Sequence, residues 1–531
     1  MHRTLTAPAT LAIGLLLAGT AADAKSFRFS YRGDLNSFDP YALNETFTHS
    51  MQGNVYEPLI GRGKALELEP ALAVRWENPE PALWRFHLRP NVKFQNGAPF
   101  TADDVVFSWE RALAEGSDIA SKVTSIKQAR KVDDLTVEFV TAGPNPILPQ
   151  EITTWYILDK EWAEANGATK PGSVARKVEN YATRHANGTG PFRVRSYEPD
   201  VKTVLVPNPD WWGKVEHNLT EAVFTPIKSD PTRVSALLSG AVDMIYPVPL
   251  QDVARISAAG LKVLQGPELR TIFLGMDVER DQLLESNVTG KNPLKDVRVR
   301  KAMYQAIDIE AIRDKVMRGA STPSALMAAP GINGFDAALN TRWPYDPEAA
   351  RKLLAEAGYP DGFEIGMDCP NDRYVNDEAI CMAVVPMLAR VGIKVRLNAQ
   401  TKSIYFQKVL SRNTSFFLLG WQPSSYDAHS PLFNVMGTRA ELRPGAQKGQ
   451  GSYNPGGYSN ARVDALQEQV RSETDPVKRN AMIREAFQIH KDEVGHIPLH
   501  QQALAWAVRP GISLVQRADD ALALWWVRVE N

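Results

Sequence analysis

Short stretches of alternating apolar and polar residues run along the chain and predict half-buried β-strands. In one of them, Trp84, Phe86 and Leu88 alternate with charged or polar neighbours. The segment from Gly188 to Gly213 contains two alternating stretches and ends in proline and glycine, which predicts a β-hairpin followed by a turn.

Other segments place apolar residues three and four positions apart, as on one face of a helix. One helix is predicted after Thr101, whose hydroxyl can cap it together with Asp104. Another is predicted from Asp346, the N-cap before Pro347, to Gly358, its C-terminal stop. Strands and helices alternate through the second half of the chain, which predicts the α/β class.

The stretch FFLLGWQPSSYDAHS, residues 416–430, changes from apolar to polar at Trp421. Its first half predicts a buried strand, and its second half predicts a loop with an indole, a phenol, a carboxylate and an imidazole. Loops held by rigid strands carry binding residues more often than the strands do, so this loop is the first candidate site.

Charge and targeting signals narrow the class of protein. The 531 residues carry a formal net charge of −1, which suggests neither nucleic acid nor an anionic membrane as partner. Arg3, the apolar run 11–19 and the small residues 22–24 are typical of a secretory signal peptide, so we expect cleavage after Ala24. No later run reaches about 18 apolar residues, so the mature chain is expected to be soluble in the periplasm.

Cys369 and Cys381 are the two cysteines of the chain. In an exported protein a closely spaced pair favours a disulfide, and two buried free thiols are the alternative. Neither cysteine has the histidine and asparagine context of a thiol nucleophile.

No common catalytic motif is present: the chain lacks G-x-S-x-G, H-E-x-x-H, C-x-x-C and the phosphate-binding P-loop. The best candidate for a metal site consists of His490, His496, His500 and Glu493. Pro498 breaks any single helix that would align them, and their spacing matches no common site. We therefore predict no metal and no cofactor, and a binding protein rather than an enzyme.

Several modules follow one another along nearly the whole mature chain. They read PALAVRWENPEPALWRFHLRPNVKFQNGAPFTADDVVFSWERA, TGPFRVRSYEP with LVPNPDWWG, PLKDVRVRKAMYQAID, YDPEAARKLLAEAGYPDGFEI, YSNARVDAL and IPLH. In this order they resemble the extracellular solute-binding proteins of family 5, the dipeptide- and oligopeptide-binding group that serves ABC importers.

The resemblance implies two α/β lobes that close on a ligand by hinge bending, with an extra domain inserted into the first lobe. Lobe I is expected to comprise residues 25–56, 188–288 and 497–531, the inserted domain 57–187, and lobe II 289–496. The implied function is capture of a small solute, by default a di- or oligopeptide, and its delivery by a monomer to an ABC permease in the inner membrane.

The resemblance also implies positions for ligand contacts. In peptide-binding relatives a Gly-Trp-x-x-Asp loop lines the cleft, and its aspartate pairs with the α-amine of the ligand. Here the position three after Trp421 is Ser424, which cannot supply that charge-assisted bond, so the amine anchor is either moved to Asp427 or absent. Arg373 lies near the position of an arginine that binds the ligand's terminal carboxylate, although a surface arginine beside a disulfide is the alternative.

Trp421 and Tyr426 are candidates as members of the loop itself, and weaker candidates for the cleft are Asn44, Thr46, Phe47 and Tyr405. For the aromatic residues among them the alternative is packing in the core. For Asn44 and Thr46 the alternative is a solvated turn.

Three other functions stay open. Sugars stack on indoles and bond to neutral side chains, so the loop after Trp421 would also suit an oligosaccharide or an opine-like conjugate. An exported hydrolase with an unrecognised site predicts turnover of its ligand. A periplasmic chaperone predicts protection of aggregating proteins without a defined small ligand.

Overall fold

The computed structural model describes residues 25–174, 176–447 and 449–530. The predicted signal peptide, residues 1–24, lies outside the described residues. Within these three ranges, no helix is both long and apolar enough to cross a membrane.

Strands and helices alternate along the chain, which confirms the predicted α/β class. The strands are β1 (Ser26–Ser30), β2 (Ile60–Arg62), β3 (Leu68–Pro70), β4 (Ala73–Glu80), β5 (Leu83–Leu88), β6 (Ile126–Asp133), β7 (Thr136–Thr141), β8 (Phe192–Glu198), β9 (Lys202–Pro207), β10 (Glu221–Phe224), β11 (Met244–Ile245), β12 (Lys262–Met276), β13 (Thr322–Pro323), β14 (Phe363–Pro370), β15 (Ile393–Gln400), β16 (Phe416–Trp421), β17 (Ile497–Val508), β18 (Ile512–Ser513) and β19 (Arg528–Val529). The α-helices are α1 (Thr46–Gln52), α2 (Ala102–Leu113), α3 (Leu148–Glu151), α4 (Lys160–Ala165), α5 (Asp230–Ser239), α6 (Val253–Ala258), α7 (Val297–Ala306), α8 (Ile309–Ala311), α9 (Pro347–Glu356), α10 (Asp377–Ala389), α11 (Lys402–Leu410), α12 (His429–Pro431), α13 (Ala461–Ser472) and α14 (Pro476–Asp492).

One mixed sheet of 11 strands runs through both halves of the molecule, in the order β15-β14-β16-β12-β17-β11-β1-β10-β9-β8 with β13 paired to β17. Its centre is the antiparallel pair β12 and β17, which are 15 and 12 residues long. The second part of β12, Thr271 to Met276, also pairs with β16, and the register against β17 shifts between Pro267 and Thr271. On one side of this pair lie β11, β1, β10, β9 and β8, which form the first half of the sheet, and on the other side lie β16, β14 and β15, which form the second half. The two central strands join both halves, and the register shift lies between the part of β12 that pairs with β17 alone and the part that also pairs with β16.

The pairing of β12 bears on the predicted domain boundaries. The predicted lobe I includes residues 271–276. These residues pair with β16, which lies in the predicted lobe II. The complete division into lobes stays a prediction.

The region predicted as an inserted domain, residues 57–187, forms its own sheet with the order β4-β5-β7-β6. Thr101 caps α2 as predicted: its backbone N–H donates to Asp104 Oδ2 at 2.8 Å, and its side chain accepts a bond from the first turn. Phe86, Phe139 and Trp155 of this region belong to the same continuous hydrophobic core as the strands of the first half. Shared core packing therefore fixes the inserted region against the sheet.

Candidate ligand-binding cleft

A cavity of about 630 Å³ lies between the two halves of the molecule. Its walls come from the segment around α1, from the inserted region, from the loops that follow β9, β14 and β16, and from the C-terminal residues 517–526. The volume is within the range of small-molecule binding sites, which are often formed between domains.

Five of the predicted contact residues line this cavity: Asn44, Thr46, Arg373, Ser424 and Tyr426. Ser424 is exposed, whereas Tyr426 is buried: the guanidinium group of Arg62 lies 4.1 Å from its ring centroid, and its hydroxyl donates to Asp519 Oδ2 at 3.0 Å. The structure thus brings together positions that are far apart in the sequence. Their contact with a ligand stays a prediction.

The guanidinium group of Arg373 faces the cavity without an acceptor. It lies 4.9 Å above the ring of Tyr374 and has no side-chain hydrogen bond or ion pair to any described residue. Burial lowers its pKa, and the positive charge of Arg270 lowers it further. Arg270 itself donates to Gln422 Oε1 at 2.7 Å and lies 3.3 Å from Glu268. A half-buried cation of this kind provides the donors that a ligand carboxylate requires.

The loop that carries Arg373 is held at both ends. The backbone N–H groups of Arg373 and Tyr374 each donate to Asp377 Oδ2 at 2.9 Å. The predicted disulfide is confirmed: Cys369, in β14, is bonded to Cys381, in α10, with a Cα–Cα distance of 6.6 Å. These contacts fix the backbone of the loop that carries Arg373, so less backbone conformational entropy is lost when a ligand binds.

We expect the disulfide-free variant with Cys369→Ser and Cys381→Ser to be less stable and to bind a carboxylate ligand more weakly. Loss of so short a cross-link lowers the free energy of unfolding by about 2–3 kcal/mol, and the Arg373 loop loses one of its anchors. Urea denaturation and calorimetric titration measure the two effects. Wild-type protein unfolded in dithiothreitol should match the variant in stability, whereas equal stability of the oxidised wild type and the variant would contradict the prediction.

Asp427 is a correction to the sequence analysis. Its carboxylate is fully buried and accepts two bonds from Arg479, at 2.8 and 2.7 Å, one from Asn333 Nδ2 at 2.7 Å and one from the backbone N–H of His429 at 2.8 Å. A carboxylate with these partners has no capacity left for a ligand amine, and the cavity does not reach it. Asp427 is therefore a structural residue that holds the loop after β16 against α14, and it is not an amine anchor.

Phe47 and Tyr405 are also corrections, because both lie in the core. The ring of Phe47 stacks on Tyr31 with ring centroids 4.1 Å apart. Tyr405 is fully buried, and its hydroxyl donates to the carbonyl oxygen of Leu418. In both cases the alternative of core packing is the one that the structure shows.

Trp421 lies beside the cavity at the end of β16. Its indole contacts the ring of Tyr453, a lining residue, with ring centroids 4.8 Å apart, and its Nε1 donates to Ser430 Oγ at 3.2 Å. The indole is partly exposed. A ligand contact of Trp421 stays a prediction.

The histidines weighed as metal ligands lie in the core and not in the cavity. His490 Nε2 and His496 Nδ1 form a hydrogen bond of 2.9 Å, and both rings are buried. Burial lowers the pKa of His496 and of His500 to about 3, so both are neutral at physiological pH.

Cations dominate the charged groups around the cavity. Its six cationic lining residues are Arg62, Lys122, Lys214, Arg270, Arg373 and Arg517, and its four acidic ones are Glu57, Glu69, Glu216 and Asp519. Two of the acids already have cationic partners: Asp519 pairs with Arg517, and Glu216 lies 3.1 Å from Lys64. Glu69 is exposed and has no such partner among the described residues.

Glu57 is the remaining acid, and indole donors engage it. Its carboxylate accepts bonds from Trp211 Nε1 at 3.0 Å, Trp212 Nε1 at 2.8 Å and Thr189 Oγ1 at 2.8 Å. Burial raises its pKa to about 7. The cavity consequently presents more uncompensated positive charge than negative charge to a ligand.

Sequence reasoning missed Lys122, which the inserted region contributes to the cavity wall. Its side chain is buried, and Nζ donates to Thr154 Oγ1. Burial lowers its pKa to about 8. Lys122 belongs to no motif, so no pattern in the sequence could have found it.

Comparisons with known proteins identify the family and the fold. The family described as bacterial extracellular solute-binding proteins, family 5 Middle, matches residues 67–441. The glutathione-binding protein GsiB of Salmonella typhi is 25% identical over 511 residues, which are 93% of each chain.

Two solved structures share the fold. The periplasmic binding protein DppA from Helicobacter pylori, in complex with the peptide STSA, has a TM-score of 0.74 and 21% identity over 96% of this chain and 98% of its own. The binding protein AgaA from A. tumefaciens R10, in complex with agropinic acid, has a TM-score of 0.73 and 22% identity over 95% of this chain and 99% of its own.

Proposed function

The chain belongs to the bacterial extracellular solute-binding proteins of family 5, and on that premise we propose that it captures a small peptide-like solute and delivers it to the permease of an ABC importer. The observation that carries the solute class is the Arg373 guanidinium, which faces the cavity beside Arg270 without an acceptor among the described residues. A terminal carboxylate matches the planar donors of a guanidinium group. The names of relatives, glutathione-binding GsiB and peptide-bound DppA, support the same class.

The proposed mechanism involves capture and release and no covalent step. The ligand enters the open cleft, the two halves close by bending where β12 and β17 cross between them, and the closed form docks on the permease. We propose that the protein acts in the periplasm as a monomer and catalyses no reaction. The signal-peptide pattern of residues 1–24 supports the location.

An opine-like conjugate is the second candidate for the solute. Ser424 stands where peptide-binding relatives carry the amine-binding aspartate, and the nearby Asp427 is occupied by Arg479. Of the acids that line the cavity, the exposed Glu69 is the one without an internal partner in the described chain. A solute with carboxylates but no free α-amine would suit this arrangement, and agropinic acid is the ligand of the similar structure AgaA.

Native mass spectrometry of protein purified gently from the periplasm tests the solute class, because it measures the mass of any bound molecule. A thermal-shift screen with glutathione, Ala-Ala, agropinic acid and maltotriose follows. A ligand at a hundred times its dissociation constant stabilises the folded state by about 2.7 kcal/mol. A carboxylate-bearing mass, together with a shift by glutathione or Ala-Ala, is the expected result. A carbohydrate mass and a shift by maltotriose alone would overturn the proposal.

A further inference from the structure

Lys122 is a buried ammonium group on the cavity wall that has no anionic partner. Its side chain is 7% exposed and lies at the end of the short turn Ala120–Lys122. Nζ donates to the hydroxyl of Thr154, and no carboxylate of the described chain lies within ion-pair distance. One of its three N–H donors is used in this way, so further donors remain for another group.

A buried charge without a counter-ion lowers the stability of the folded protein. Burial lowers the pKa of Lys122 to about 8, so the ammonium form still predominates at neutral pH. Replacing such a group by an apolar side chain of similar volume would relieve the desolvation cost. Folding therefore gives no reason for a lysine at this position, whereas binding of an anion does.

His49 provides a second unpartnered atom on the same wall. His49 is 8% exposed and lines the cavity; burial lowers the pKa of its ring well below the usual value, and the charge of Lys122 lowers it further. Nε2 lies 3.1 Å from Asn44 Oδ1, which makes Nε2 the donor and leaves a lone pair on Nδ1. Nδ1 makes no hydrogen bond of good geometry, and the side chain of Gln52, which raises the pKa of the ring, is a polar group beside it.

The geometry points to a second carboxylate subsite formed by Lys122 and Thr154, so that the solute carries two acidic groups, one for Arg373 and one for Lys122. This inference rests on the proposed function, because it assumes that the cleft is the binding site. It narrows the solute from peptides in general to peptides or conjugates that carry two carboxylates.

Calorimetric titration with two probes tests the subsite: glutathione, which has two carboxylates, and Ala-Ala, which has one. We expect Lys122→Met to weaken glutathione binding by at least about tenfold, the usual effect of losing a hydrogen bond to a charged group. Ala-Ala binding should change less than threefold. Lys122→Arg, which keeps the charge, should retain most of the glutathione affinity.

The matched control is Lys127→Met, because Lys127 is an exposed lysine on β6 of the same region. It should bind both probes as the wild type does. The melting temperature of the free Lys122→Met variant should equal or exceed that of the wild type, whereas a purely structural lysine would lower it and weaken both probes together. A lower melting temperature of Lys122→Met with both probes weakened, or unchanged glutathione binding by this variant, would overturn the subsite and leave the proposed function intact. A wild type that binds Ala-Ala but not glutathione would also overturn the subsite, and one that binds no carboxylate probe would overturn both proposals.

Discussion

Arg373→Ala is expected to weaken the binding of glutathione by a factor of 30 or more, because truncating one partner of a buried, hydrogen-bonded charge pair costs about 2–5 kcal/mol. The guanidinium group makes no hydrogen bond to a described residue, so its removal breaks only its contact with the ring of Tyr374. Arg270 remains nearby and can attract the carboxylate, which places the expected loss toward the lower end of that range. The free variant should therefore unfold as the wild type does while its dissociation constant rises.

Arg396→Ala is the matched control for this measurement. Arg396 is an exposed arginine on β15 in the same half of the molecule. Exposed arginines without buried partners contribute little, so both its affinity and its stability should match the wild type. Equal glutathione affinity in Arg373→Ala and Arg396→Ala would remove Arg373 from the site and, with it, the observation on which the peptide class rests.

Asp427→Asn should lower the free energy of unfolding by about 3–5 kcal/mol, because it leaves a buried arginine without its counter-ion. Arg479 has both its terminal nitrogens on Asp427 and is itself buried. Urea denaturation at neutral pH measures the effect. Asp361→Asn, an exposed position in the same half, is the control and should change the free energy of unfolding by less than about 0.5 kcal/mol.

The double variant Asp427→Asn with Arg479→Met separates the two possible roles of Asp427. Removing both charges should recover much of the lost stability, because the cost arises from the unpaired cation. Glutathione affinity measured under folded conditions should be unchanged in both variants. A variant with wild-type stability that no longer binds ligand would reinstate Asp427 as the amine anchor.

The resemblance identified from the sequence modules is confirmed by the family match. The prediction of a two-lobe fold followed from that resemblance, and solved structures share the fold. Local rules gave several elements correctly, since a cap such as Thr101 or a hairpin such as β8 with β9 depends on neighbours in the sequence. The disulfide between Cys369 and Cys381 followed from spacing and export. These features have in common that the residues that determine them lie close together in the chain.

The cleft was predicted less completely, because burial depends on partners that are distant in the sequence. Tyr405 and Phe47 look like ligand-stacking residues until the strands that cover them are known. Asp427 looks available until α14 brings Arg479 against it. In the opposite direction, Lys122 is an ordinary lysine in the sequence, and the fold alone places it on the wall of a cavity.

The sharing of β12 and β17 between the two halves has a consequence for dissecting the protein. A fragment that contains one half without these strands would expose the edge of β16 or of β11 along its full length. Exposed strand edges recruit other chains, so such fragments should aggregate rather than fold as independent domains. An engineered exchange of one half between related proteins would therefore have to include the central strand pair β12 and β17.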